Sequence, residues 1–292
     1  MCRIPIRPLA RNRKLDETAG MPKHPSLSGT LKSQSKKNPK ADRKTGKLDG
    51  RMRELQLRLL TIQQAVFHQK ARVVIVFEGF DASGKGGAIR RMTEGLDPRG
   101  IQVHPIGPPT AREQGIHYLY RFWTKLPPPG TIAVFDRSWY GRVLVERVEK
   151  LVPNPAWKRA YDEIREFERV LVDDGISLIK VFIAVSKKEQ LMRFEERLHN
   201  PYKQWKLSLD DIRARSQWDK YVEAADELLE RTDTYHCPWH VVEADDKHRA
   251  RLEVLETIVS GLAHHEKWMQ AKKGLMPDEK EIRKAMKSLG KT

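Results

Sequence analysis

The chain has 292 residues, of which 39% are hydrophobic and 32% are charged, and its formal net charge is +16 at pH 7. Such proportions allow one substantial hydrophobic core. No stretch reaches the roughly 18 uninterrupted apolar residues of a membrane-spanning helix, and no secretory signal follows Met1, so we expect a cytoplasmic protein with no membrane partner. The two cysteines, Cys2 and Cys237, are far apart in the chain and indicate no disulfide framework.

The positive charge is concentrated at the start of the chain. Residues 1–50 contain thirteen Lys or Arg and four Asp or Glu, a net +9, which leaves +7 for residues 51–292. Residues 1–47 are rich in Pro, Ser, Lys and Arg and show no apolar periodicity, so they predict a disordered basic tail. The remaining +7 favours a polyanionic partner, either a nucleic acid, a nucleotide or polyphosphate.

Beyond the tail, predicted helices alternate with predicted strands. Leu55, Leu59, Ile62 and Val66 recur at helical spacing, and the apolar run at 73–77 is typical of a strand buried on both faces. Further strands are predicted at 131–135, 178–185 and 240–242, with a weaker one at 101–103. Helices are predicted at 88–94, 114–123, 157–172, 188–198, 209–230 and 248–263. This alternation is typical of an α/β fold with a parallel sheet.

A phosphate-binding loop directly follows the first predicted strand. The residues from Gly79 to Lys85, GFDASGK, have the spacing of such a loop, and helical sequence begins soon after. Small residues let consecutive backbone N–H groups face phosphate oxygens, and Lys85 adds a cation. We therefore expect phosphate or nucleotide contacts from the loop glycines and serine, which are Gly79, Ser83, Gly84, Gly86 and Gly87. The alternative is a glycine-rich turn with a coincidental lysine.

With this loop, the fold class becomes a P-loop NTPase-like parallel sheet flanked by helices, with a helical lid. We predict one domain at 48–265, whose lid covers about 187–235, and a basic helical extension at 266–292.

The loop departs from the usual motif at one position. The residue after the lysine is normally a Ser or Thr that ligates magnesium, but here it is Gly86. Asp81 is the obvious substitute, because a carboxylate inside a phosphate loop is unfavourable unless a cation offsets it. A turn-capping role for Asp81 is the alternative.

A second cluster closes the strand predicted at 131–135. Asp136 lies where a metal-binding carboxylate would stand beside the loop, and Arg137 can neutralise charge on a transferring group. The alternative interpretation is a helix-capping aspartate followed by a structural arginine.

A third, basic group lies in the predicted lid. Cations on an exposed helix are usually a solvated face, but together these could clamp outer phosphates and exclude water from the loop. The candidates are Arg193, Arg197, Lys203 and Lys206, with Arg213 and Arg215 further along.

At these residues the chain resembles the polyphosphate kinase 2 family. The resemblance covers residues 48–265 and is carried by EGFDASGKGGAIRRMTEGLDPRG, FDRSWYGRVLVERVE and the stretches at 187–211 and 218–251. The two glycines after Lys85, LDPRG and YGRVLVERVE are closer to the polyphosphate:AMP phosphotransferase branch than to the branch that uses ADP or GDP. That branch often carries two fused copies of the domain, whereas this chain has one.

The resemblance implies a reversible, magnesium-dependent exchange of a terminal phosphoryl group between inorganic polyphosphate and a nucleotide, with manganese as a substitute ion. Asp81 would coordinate the metal or position the acceptor phosphate, and Asp136 would bind magnesium. Lys85 would hold the transferring group, and Arg137 would stabilise the charge of the transition state. Arg193 and Arg197 match lid positions. The family also implies a homo-oligomer, either a dimer or a tetramer.

Two other functions fit the loop. An ATP-dependent nucleoside monophosphate kinase would share the loop and lid but would not use polyphosphate as donor. A nucleic-acid-binding P-loop NTPase predicts salt-sensitive DNA or RNA binding that survives removal of residues 1–47.

Overall fold

The computed structural model describes residues 26–36, 45–272 and 279–289. The strands are β1 Arg72–Gly79, β2 Ile101–Pro105, β3 Thr131–Asp136, β4 Ile176–Ala184 and β5 Trp239–Glu243. The helices of the described residues are α1 Leu27–Lys36, α2 Thr45–Gln69, α3 Lys85–Thr93, α4 Tyr120–Trp123, α5 Val145–Val148, α6 Asn154–Asp173, α7 Lys187–His199, α8 Leu209–Ser216, α9 Trp218–Thr232, α10 Lys247–Gly261, α11 Ala263–Ala271 and α12 Glu279–Leu289.

All five strands form one parallel sheet in the order β2-β3-β1-β4-β5. β1 is central, and its register places Phe77 opposite Asp136 of β3 and Gly79 opposite Ile183 of β4. Residues 73–78 of β1 are all buried, which is the burial expected for a parallel strand covered on both faces. The order puts the carboxyl end of β1 between those of β3 and β4, where the loop after β1 begins.

Two hydrophobic layers cover the sheet. α2, α3 and α10 pack on one face, where Leu59, Ile89 and Val254 belong to one cluster of buried side chains. α6 and α9 pack on the other face together with the 3-10 turn Trp139–Arg142. Among the described residues, no helix combines the length and the apolar content that a bilayer crossing requires.

The second layer contains a buried ion pair between α6 and β4. The Lys180 ammonium, which is fully buried, donates to the Glu168 carboxylate at 2.8 Å, to the Tyr140 hydroxyl at 3.1 Å and to the Thr232 carbonyl at 2.8 Å. Glu168 also accepts from the Trp139 indole at 3.0 Å. The network therefore holds the turn after β3 against the sheet.

The predicted fold class is confirmed, including the weaker strand at 101–103, which is the edge strand β2. Two helix predictions need correction. The segment at 114–123 is helical only in its last turn, and the helix predicted at 209–230 is interrupted at Gln217 between α8 and α9.

The expectation of a disordered tail is wrong where the structure describes that segment. Residues 27–36 form α1, and Leu27 and Leu31, spaced one helical turn apart, are buried in the layer that contains α9. The composition of the tail hides this short apolar repeat. Residues 1–25 and 37–44 lie outside the described residues, so the prediction for them stays a prediction.

Replacement of Lys180 by Met should lower the free energy of unfolding by about 3 kcal/mol, because it leaves the Glu168 carboxylate buried without its cation. Urea unfolding followed by circular dichroism measures the change. Arg169→Gln, which breaks ion pairs on the exposed face of α6, is the matched control and should leave the stability unchanged. Equal stability of the two variants would contradict a structural role for the buried pair.

Candidate active site

The loop after β1 begins at a glycine that no other residue can replace without strain. Gly79 has φ +139°, and a Cβ atom built on it would lie 2.2 Å from the Ile183 carbonyl oxygen of β4. Gly84 has φ +112° and immediately precedes α3. The positive φ values favour glycine at both positions, and at Gly79 the close approach to β4 excludes any side chain. The loop thus turns sharply and presents its backbone at the amino end of α3.

Lys85, the first residue of α3, is buried beneath this loop. Its ammonium donates to the Gly79 carbonyl at 2.6 Å and to the Phe80 carbonyl at 3.0 Å. Burial lowers the pKa of the ammonium, as does the nearby positive charge of Arg137, while Asp81 and Asp136 oppose the shift. The backbone N–H groups of the loop and the dipole of α3 favour a bound anion at this point, and the Lys85 ammonium adds a positive charge to the same place.

Arg193 of α7 supports the loop from behind. Its guanidinium donates to the Ala82 and Ser83 carbonyls, both at 2.8 Å, and to the Ala244 carbonyl. The remaining donors reach Asp245 O at 3.3 Å and the Glu189 carboxylate at 2.8 Å. Because a guanidinium has five N–H donors, all of them are used in these contacts. In this conformation Arg193 positions the loop and offers no free donor to a phosphate.

Asp136 and Arg137 meet the loop at the end of β3. The Arg137 backbone, at φ +66°, donates its N–H to the Phe77 carbonyl at 3.0 Å, which ties the end of β3 to the end of β1. Its guanidinium, more than half exposed, donates to the Asp81 carboxylate at 2.8 Å. The structure therefore brings together Asp81, Lys85, Asp136 and Arg137, the four residues that the sequence predicted as one site.

Glu78 is a site residue that the sequence analysis missed. It precedes Gly79 in β1, is 2% exposed, and accepts a hydrogen bond from the Ser138 hydroxyl at 2.8 Å. Burial raises the pKa of its carboxyl group, although the Ser138 hydrogen bond and the charges of Lys85 and Arg137 oppose the shift. An acidic residue inside an otherwise apolar strand, next to the loop, was the signal that could have identified it.

Several polar groups cluster where β2 and β3 end. Ile106, just after β2, donates its N–H to the Asp136 carbonyl at 3.0 Å, which places the segment after β2 beside the site. In the turn after Arg137, the Arg142 side chain lies 3.1 Å from the Glu146 carboxylate and 4.4 Å from the centre of the Tyr118 ring. Burial raises the pKa of Glu146. Tyr118, Arg142 and Glu146 thus form a cluster of aromatic, basic and acidic groups in the segments that follow β2 and β3, and none of the three residues was predicted.

A cavity of about 170 Å³ opens on the other side of the loop, beneath the predicted lid. Its lining includes backbone and small residues of the loop and α3, which are Ser83, Gly84 and Gly87, and the predicted lid cations Arg197, Lys203 and Lys206. Lys247 and Arg251 of α10, which the sequence analysis did not single out, also line it. Gly86 is exposed and does not belong to this lining.

The cavity contains one acidic lining residue, Glu196 of α7. Its carboxylate accepts from Lys203 at 2.5 Å and from Lys247 at 2.8 Å. The lysine hydrogen bonds lower the pKa of this carboxyl group to about 2. Glu196 therefore joins α10 to the segment after α7 across the mouth of the cavity.

The lid is also attached on its far side. The Glu149 carboxylate accepts from Arg213 at 3.1 Å, from Gln217 at 3.0 Å and from the Tyr221 hydroxyl at 3.0 Å. These contacts join α8 and α9 to the residue after α5. Arg213 is thus paired with an acid, and Arg215 donates to the Lys187 carbonyl at 2.7 Å, so neither lines the cavity.

Comparison with known proteins finds one matching family and several similar chains. The profile described as polyphosphate kinase 2 matches residues 42–270. The chain is 50% identical over 186 residues to the polyphosphate:AMP phosphotransferase of Pseudomonas aeruginosa, a match that covers 64% of this chain and 38% of that protein. It is 41% identical to the ADP-polyphosphate phosphotransferase 2 of Rhizobium meliloti, over 73% of this chain and 69% of that protein.

Solved structures of other proteins are also similar to this chain. The crystal structure of polyphosphate kinase 2 from Arthrobacter aurescens TC1 aligns with a TM-score of 0.76 at 29% sequence identity, over 87% of this chain and 92% of that one. The chain spans well under half the length of the Pseudomonas relative, since the match covers 38% of it.

Replacement of Arg193 by Met should destabilise the protein by about 3 kcal/mol, because several buried carbonyl groups lose their donor. Urea unfolding measures the change. Arg197→Met is the matched control from the same helix, since its guanidinium donates to a single carbonyl, that of Lys206. If Arg193→Met were as stable as this control, the supporting role of Arg193 would be wrong.

Proposed function

The chain belongs to the polyphosphate kinase 2 family, and we propose that it transfers the terminal phosphoryl group between inorganic polyphosphate and a nucleotide. One observation carries the proposal. The phosphate loop and Lys85 lie beside the charged groups of Asp81, Asp136 and Arg137, and the same loop lines a cavity whose lining includes six Lys or Arg residues. We place the chain of phosphates in this cavity and the acceptor nucleotide beside Asp81, Asp136 and Arg137.

The chemistry follows from the positions of the charged groups. An oxygen of the acceptor phosphate attacks the terminal phosphorus of polyphosphate, and the bond from that phosphorus to its bridging oxygen breaks. The electron pair stays on the shortened chain. Lys85 holds oxygens of the transferring group, and Arg137, which is exposed to the cleft, neutralises the charge that develops on it. Positioning and charge neutralisation supply nearly all of the acceleration in such a reaction.

Asp81 and Asp136 fit a magnesium ion. Mg²⁺ is usually bound by one or two carboxylates and by substrate phosphates and water, and both carboxylates act electrostatically on the Lys85 ammonium. The described residues contain no cluster of three or more His, Cys, Asp or Glu that would form a complete protein cage. We expect magnesium, with manganese as a substitute; when bound, the ion neutralises phosphate charge.

AMP is the acceptor that we propose, with ADP as the product. The relative at 50% identity is named a polyphosphate:AMP phosphotransferase, and the relative at 41% identity is named an ADP-polyphosphate phosphotransferase. The LDPRG and YGRVLVERVE segments favour the former. ADP and GDP are the alternative acceptors.

We also propose a cytoplasmic homo-oligomer, a dimer or a tetramer, on the basis of the family resemblance and of the free, buried thiol of Cys237. Light scattering coupled to size exclusion tests the assembly, and cell fractionation tests the location. The phosphoryl transfer itself is independent of either result.

The decisive experiment offers the purified protein polyphosphate and magnesium with AMP, ADP, GMP and GDP in separate reactions, and identifies the products by chromatography. We expect ADP from AMP as the fastest reaction. A parallel reaction with ATP as donor tests the nucleoside monophosphate kinase. Turnover with ATP and none with polyphosphate would reject our proposal. Salt-sensitive nucleic-acid binding that survives removal of residues 1–47 would favour the P-loop NTPase.

Lys85→Ala, Asp136→Asn and Arg137→Ala should each lower kcat by at least about two orders of magnitude, because Lys85 and Arg137 neutralise charge in the transition state and Asp136 would hold the magnesium ion that does the same. Initial rates with polyphosphate and AMP measure the effect, and melting temperatures establish that the fold is intact. Near-normal turnover of any variant would remove that residue from the mechanism.

Asp81→Asn tests the replacement of the usual loop Ser or Thr by an aspartate. We expect a higher magnesium concentration for half-maximal rate, by about tenfold, because one carboxylate is lost from the ion. A magnesium titration at saturating substrates provides the measurement. An unchanged magnesium requirement together with normal turnover would show that another group compensates for Gly86.

A further inference from the structure

Arg251 of α10 lies directly over the first turn of α3. A Cβ atom built on Gly87 would lie 3.2 Å from one terminal nitrogen of the Arg251 guanidinium and 3.5 Å from its Nε atom. The guanidinium therefore lies against the helix end that adjoins the phosphate loop. Arg251 is only partly exposed and lines the 170 Å³ cavity together with Ser83 and Gly84.

The charge of Arg251 is not balanced by an acid. Burial lowers its pKa, and the charged neighbours that act on it, Arg91, Arg193 and Arg90, lower the pKa further. Among the described residues, no carboxylate forms an ion pair with it. Glu196, the acid in the cavity lining, is paired with Lys203 and Lys247 instead. Folding thus places a half-buried guanidinium among like charges, which is unfavourable unless an anion binds there.

The glycines after Lys85 make this position possible. A side chain at Gly87 would meet the Arg251 guanidinium, whereas Gly86 has nothing within 4 Å of a built Cβ. The second glycine therefore has a steric role that the first does not have. At the amino end of α3, where the usual motif provides a hydroxyl, this chain provides space for a cation from α10.

The cavity suits phosphates better than a nucleoside. No aromatic side chain belongs to its lining, which consists mainly of loop backbone, small residues and cations. A base and ribose need an apolar or stacking surface, whereas a phosphate chain needs repeated positive charge. The aromatic ring of Tyr118 packs against Arg142 outside this lining.

We propose that Arg251 is a donor-specificity residue, which binds a non-transferred phosphate of the polyphosphate chain in the cavity beneath the lid. The proposal rests on the proposed function and names the donor side of the same site. Arg251 would contribute to ground-state and transition-state binding alike, because it contacts a part of the donor that does not react. Its removal should therefore change KM for polyphosphate and not kcat.

Arg251→Gln is compared with Arg249→Gln, which removes an exposed arginine that is two residues earlier in α10 and outside the cavity lining. We expect KM for polyphosphate to rise about tenfold in Arg251→Gln alone, with kcat within about threefold and KM for AMP unchanged. The melting temperature should not fall, since the lost charge faces only cations. Equal KM values in both variants, or a rise in KM for AMP alone, would overturn the proposal, as would a lower melting temperature with unchanged KM.

Calorimetry with inorganic tripolyphosphate separates this inference from the proposed function. If the unsubstituted protein does not turn over polyphosphate, the proposed function fails, but tripolyphosphate affinity still reports on Arg251. We expect Arg251→Gln to bind tripolyphosphate about tenfold more weakly than Arg249→Gln. Equal affinities would overturn the assignment of Arg251 whatever the turnover.

Gly87→Ala provides a second route to the same test. The added methyl group should displace the guanidinium and raise KM for polyphosphate, and it should have little further effect when Arg251 is already Gln. Additive effects of the two substitutions would show that Gly87 acts independently of Arg251, and would contradict the steric step of the proposal.

Discussion

The parallel pairing of β1 with β3 and β4 is the constraint on which the candidate site depends. It brings the backbone of Gly79 against the Ile183 carbonyl, so that the chain must turn at once into the phosphate loop. It also sets the carboxyl end of β3 beside that loop, where Arg137 donates a backbone hydrogen bond to Phe77. Functional groups that are separated by more than fifty residues in the chain, such as Asp81 and Arg137, are thereby in contact.

Buried polar and charged groups around the loop keep this arrangement in place. Arg193 uses its guanidinium to bind the carbonyls on the back of the loop, and Glu78 accepts a hydrogen bond from Ser138 beneath it. On the other face of the sheet, the buried pair of Lys180 and Glu168 holds the turn that follows β3. Each of these contacts joins two different elements. The loop and the catalytic candidates are thus fixed from several directions, as phosphoryl transfer by positioning requires.

The two sides of the loop differ in the charged groups that they present. One side offers the carboxylates of Asp81 and Asp136 and the guanidinium of Arg137. The other side offers cations with a single acid, Glu196, which two lysines already neutralise. A polyanion approaching that cavity meets a positive field close to the loop.

The sequence by itself determined which functional features follow two of the strands. The phosphate loop lies between a buried strand and a helix, and the Asp136–Arg137 pair lies at the end of the strand predicted at 131–135. These were predictable because strand, loop and helix are adjacent in the chain, and because carboxyl ends of parallel strands share one edge. Only the tertiary structure decided that Arg193 supports the loop from behind and that Arg251 reaches Gly87. Those roles depend on the direction of a side chain and on contacts across more than a hundred residues, which local periodicity does not encode.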